Sequence, residues 1–171
     1  MRSIAAKLFI VLVITAIGAF GADSSIGTWK YNAAKSESTS TNPIKSQTDV
    51  RAATADGGVK TTRTGQLMDG TPVNFSYTYT YDGKEYPVTE GPFDTIFVKR
   101  IDTDTTNWEV KDTGGKYHFA GRTVISTDGK TMTQTSTGTD AEGKYSFTDT
   151  WVKLAGHWQC VSEHISKLVS K

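Results

Sequence analysis

The chain has 171 residues, 36% of them hydrophobic and 22% charged, with 19 basic against 18 acidic side chains and a single Cys. That is one domain's worth of chain; its charged fraction excludes wholesale disorder, and one Cys excludes an intrachain disulfide framework or a Cys-rich zinc site. A formal net charge of +1 offers no basic face for nucleic acid, and 27 Thr point to pleated, half-wet strands.

Residues 1–21 read as a secretory signal peptide. Arg2 and Lys7 form the positive start, the apolar run Leu8 to Ile17 is broken only by Thr15, and Ala19 and Gly21 are the small residues before a cut at Ala22. The run is shorter than the roughly 20 apolar residues a membrane-spanning helix needs. The alternative is an uncleaved N-terminal anchor. Cleavage removes two basic residues and no acid, leaving a single domain, 22–171, with a net charge of −1. A secreted or periplasmic monomer without a membrane span is the expectation. A domain of about 150 residues buries roughly 68–70% of its unfolded surface and folds without disulfides.

The mature chain is punctuated by turn dipeptides: Asp56-Gly57, Asp69-Gly70, Asp82-Gly83, Gly114-Gly115, Asp128-Gly129, Glu142-Gly143 and Ala155-Gly156. Most lie about one strand apart, and Asp-Gly between β-rich runs signals a hairpin. Strands are predicted at 26–31, 46–54, 58–67, 72–82, 84–88, 94–101, 106–112, 116–126, 130–139 and 144–154. Val73, Phe75, Tyr77, Tyr79 and Tyr81 share one face; Thr131, Thr133, Thr135 and Thr137 make another, wholly polar one. A last hairpin, 144–154 with 157–163, and a short helical end from Ser162 to Val169 complete the chain. The prediction is an all-β, up-and-down antiparallel barrel of nine or ten strands, since closure removes the edges of such a meander. A two-sheet sandwich is the main alternative.

The first predicted strand reads Gly27-Thr28-Trp29-Lys30. Gly-x-Trp there resembles the lipocalins, and Gly-Thr-Trp-Lys is similar to the fatty-acid-binding proteins, both calycin barrels. Gly27 to Ser36 also resembles a set of secreted, lipocalin-like bacterial proteins, the likeness running over roughly 26–140. The resemblance implies that Trp29 plugs one barrel end, with Arg122 or Lys153 packed on it. Residues 33–44 are too few and too polar for a two-helix lid, and the family's C-terminal Arg-x-Tyr clamp is not recognisable. The barrel is therefore the expectation, rather than fatty-acid binding itself. Asp149 to His164 resembles the closing strands of SnoaL-like domains; that likeness implies an α+β enzyme, an isomerase or hydrolase, with His118, Asp149 or His164 in its pocket.

Nothing in the sequence makes a nucleophile elbow, a phosphate loop or a metal-ligand spacing, so no catalytic residue, metal or cofactor is assigned. The candidates are for binding. Phe75, Tyr77, Tyr79 and Tyr81 would line a cavity, giving apolar area and hydroxyls. Arg63, Arg100 and Arg122 lie in alternating runs; Arg100 and Arg122 have the more apolar same-face neighbours. An inward Arg could hold a carboxylate or phosphate bidentately. The expected partner is a small hydrophobic or amphiphilic molecule.

Overall fold

The computed structural model describes residues 23–140 and 143–155. Four of the spaced dipeptides, at 56–57, 69–70, 114–115 and 128–129, are turns; Asp82-Gly83 instead opens a strand, and Glu142 and Gly156 lie outside the described residues. Gly57, Gly70, Gly115 and Gly129 each close a hairpin with φ between 68° and 93°, a left-handed backbone that Gly enters at little cost. The strands are β1 (Gly27–Tyr31), β2 (Glu37–Ser38), β3 (Ile44–Ala53), β4 (Val59–Leu67), β5 (Pro72–Tyr79) and β6 (Asp82–Pro87). Then come β7 (Thr95–Arg100), β8 (Thr105–Lys111), β9 (His118–Ile125), β10 (Thr131–Asp140) and β11 (Gly143–Lys153). One 3-10 turn, Ala33–Lys35, follows β1.

All pairings are antiparallel, in the order β5-β4-β3-β1-β11-β10-β9-β8-β7-β6, with β2 set against β11 off this path. The first strand brings the two halves together: Trp29 pairs with Asp49 on β3 and with Lys153 on β11. The protein is an all-β, nearly closed antiparallel barrel of ten strands. Its seam lies between β5 and β6, consecutive in sequence but sharing no ladder. A single bridge from Ser76 to Glu90 and the packing of Phe93 on Phe75 and Tyr77 cross that seam.

Strand alternation decides which side chains enter the barrel. On β5, Tyr77 and Tyr79 are buried and Thr78 is exposed. On β10, Met132, Gln134 and Ser136 are buried while Thr135 and Thr137 face out. β3 reverses the usual chemistry: Gln47, Asp49 and Arg51 are buried and Val50 is 45% exposed. The apolar core has two parts. Trp29, Ile125, Met132 and Trp151 fill the end that carries the β3–β4, β7–β8 and β9–β10 turns. A larger group around Tyr77, Phe93, Ile96, Val110 and Phe119 lines the rest.

The helical end and the partner strand at 157–163 lie outside the described residues. Both edges of β11 are in any case occupied, one by β10 and the other by β1 and β2. Asp149 and Trp151, which carry the SnoaL-like resemblance, are barrel-strand residues, and no α-helix occurs among the described residues. The α+β cone is not this fold.

Candidate ligand cavity

The strands enclose a cavity of about 650 Å³. One wall is aromatic. Phe75 and Tyr77 stack 6.0 Å apart, Phe93 stands edge-on to Phe75 at 5.7 Å, and Phe119 lies 5.0 Å from Tyr117. Ile96, Val98 and Val110 add aliphatic surface. Ser40, Asn42, Ile44, Leu67 and Pro72 line the end opposite the Trp29 cluster.

A polar group interrupts this wall. Asp49 is fully buried and takes two bonds from Arg63, Nε to Oδ1 at 2.9 Å and Nη2 to Oδ2 at 2.7 Å. Gln47 Nε2 donates to the same carboxylate at 3.1 Å. Burial pushes the Asp49 carboxyl up, but Arg63, helped by Arg51 and Gln47, overrides it and holds the carboxyl below its usual range. The Arg63 guanidinium lies between the Phe75 and Trp151 rings, 5.8 and 5.7 Å from their centroids. Arg51 is 6% exposed and stands 3.9 Å from Asp49, beyond hydrogen-bond reach. Asp149, on β11 opposite Gln134, also faces the cavity. Burial, with the Asp49 charge adding, pushes its carboxyl up to about 6 against the pull of Arg63.

The structure separates the sequence candidates. Phe75, Tyr77 and Tyr79 line the cavity. Tyr81 does not. Its hydroxyl bonds the Ser25 hydroxyl at 2.8 Å, and the Arg100 guanidinium lies 3.7 Å from its ring centroid. Arg100 Nη2 donates to Asp23 at 2.7 Å. Arg100 keeps inward parity with Ile96 and Val98, but it is the last residue of β7 and passes the barrel end. Arg122 is on the outer face, because β9 turns Phe119, Thr123 and Ile125 inward. Trp29 is completely buried at the closed end, its Nε1 donating to Ser25 O at 2.8 Å. Of the two basic partners the resemblance allows, Lys153 packs on it, Nζ 5.1 Å from the ring. His118 is exposed and bonds Glu109 at 2.8 Å, outside the barrel.

Sequence reasoning missed Gln47, Asp49 and Arg51. Along 44–53 polar residues occupy both faces, as in Lys45 to Asp49, so the sequence carries no hydrophobic alternation that would pick out the inward one.

Several solved structures share this architecture. A Schistosoma mansoni fatty acid binding protein, in complex with arachidonic acid, matches with a TM-score of 0.53 at 17% identity, over 77% of this chain and 97% of that one. An S-type phycobiliprotein lyase, CPES, from Guillardia theta matches at 0.53 and 11%, over 78% and 90%. A mutant of the fluorescent protein UnaG matches at 0.52 and 12%, over 77% and 97%. The fold is a calycin-type barrel. No family model matches the sequence, and no curated protein does. This calycin-type barrel has only a 3-10 turn and β2 between its first two long strands.

Proposed function

We propose that the chain is exported as a single-domain monomer, residues 22–171, and holds a small apolar or amphiphilic molecule in its barrel. The observation that carries this reading is the aromatic-lined cavity of about 650 Å³, within the roughly 300–1,000 Å³ of small-molecule sites. The arachidonic acid in the Schistosoma barrel supports it. So does the energy of burial: a twelve-carbon chain gains on the order of 9 kcal/mol from its methylenes before ordering costs. Residues 1–21, with their charged start and apolar run, support export to the periplasm or medium.

Native mass spectrometry of the purified full chain, followed by solvent extraction, tests binding. A bound mass that is lost on extraction is expected. A chain that stays empty and takes up no apolar probe overturns the reading. N-terminal sequencing of exported protein should begin at Ala22.

A further inference from the structure

The buried polar atoms without a partner point to what the cavity accepts. Among the described residues these are Arg51 Nε, Trp108 Nε1, Trp151 Nε1 and the Thr61 hydroxyl. Three of the four are pure donors. Two of those, on Arg51 and Trp108, belong to side chains that line the cavity.

Arg51 is the sharper case. Its charge is permanent. No described residue hydrogen-bonds its guanidinium, and the Asp49 carboxylate 3.9 Å away is already held by both arms of Arg63 and by Gln47. The other cation facing the chamber, Arg63, is neutralised by that bidentate pair. A guanidinium that is 6% exposed with an orphan Nε is costly unless something completes its shell. The space between Arg51 and the closed end is about 10 Å³, room for one water at most. The main cavity is the remaining source of an acceptor.

We infer that Arg51 is an anion subsite: the ligand enters with a carboxylate or sulfonate oxygen on the Arg51 guanidinium and its apolar body along the Phe75–Tyr77–Phe119 wall. This rests on the cavity reading above and names its ligand class. The donor pattern selects acceptors, and the aromatic wall selects an apolar body.

A matched pair of probes tests this on the full chain: neutral 1-anilinonaphthalene and its 8-sulfonate, titrated by fluorescence. The sulfonate should bind about tenfold tighter or better, the scale of a hydrogen bond to a charged group. In Arg51→Met the preference should collapse while the neutral parent still binds. Ligand-free Arg51→Met should melt no earlier than the native chain, because it removes an unsatisfied buried charge. Should the variant not fold, the Nε–H resonance of Arg51 in the native chain gives a second readout; it should shift with dodecanoate and not with dodecanol. Equal binding of both probes to the native chain overturns the anion subsite and leaves the cavity reading standing. So does a preference that survives Arg51→Met, or an Nε–H signal indifferent to dodecanoate, as a buried water alone would give. Binding of neither probe overturns both readings.

Discussion

Arg63 grips Asp49 through two parallel bonds inside the barrel, Nε to Oδ1 and Nη2 to Oδ2, between β4 and the facing position of β3. The pair is in register: Asp49 and Arg63 are direct cross-strand partners, and Asp49 also faces Trp29 on β1. A buried pair that loses one member strands the other charge. Arg63→Met should therefore destabilise the chain by about 3–5 kcal/mol, and Asp49→Asn by a comparable amount. The double variant should cost less than the sum, since neither member of the pair is then left without the other. Urea unfolding of the three variants checks this; strict additivity would mean that the two residues act independently.

The strand map was legible because turns and alternation are local. Gly57, Gly70, Gly115 and Gly129 sit between runs whose parity can be read directly. That parity placed Phe75, Tyr77 and Tyr79 on the inner wall. The closure was legible only as a class, because the pairing of Trp29 with both Asp49 and Lys153 joins residues far apart in the chain. The polar part of the cavity was legible only at Arg63 and, under the α+β reading, at Asp149. Hydrophobicity assigns Val50 and Val124 inward, yet they are 45% and 43% exposed, and Arg51 and Thr123 are buried beside them. A barrel that recognises a polar group carries polar side chains on its inner face, which is where a rule based on apolar burial selects the wrong side.

Asp149 sets an acid-side optimum. Its folded pKa, about 6, stands above the ordinary 3.8 because burial disfavours the charged form. Between those values the folded chain binds the extra proton, so stability falls as pH rises through that window and is flat above it. The loss across the window is about 3 kcal/mol. Asp49 has the opposite sign. Its carboxyl is held low, so its contribution is present above the ordinary value and is lost as pH falls below it. The two together place the stability maximum at about pH 4, since Asp49 loses its contribution below the ordinary value and Asp149 loses its own above it. Asp149→Asn should remove the decline between pH 4 and 7 and leave the loss below pH 4. Thermal melts across pH 3 to 8 measure both; an unchanged decline in Asp149→Asn would mean another group titrates there.

Arg100 and Arg122 should part company under mutation. Arg100 belongs to a latch of residues at the closed end: it bonds Asp23, covers Tyr81, and Tyr81 bonds Ser25, whose carbonyl accepts Trp29 Nε1. Ser24 ties the same segment to Asp104 and, through its carbonyl, to Lys153. Arg100 is 37% exposed and Asp23 22%, so solvent weakens the ion pair; with the ring contact, Arg100→Ala should cost about 1–2 kcal/mol. Arg122 faces outward on β9, and Arg122→Ala should stay within about 0.5 kcal/mol of the native chain. Neither faces the main cavity, so neither should change the affinity of an apolar probe by more than about twofold, in contrast to changes at Tyr77 or Phe119. Denaturation curves paired with 1-anilinonaphthalene titrations decide it. A large loss of probe affinity in Arg122→Ala would mean that β9 presents its other face to the ligand, and a register one residue off would then have to run through its pairing with both β8 and β10.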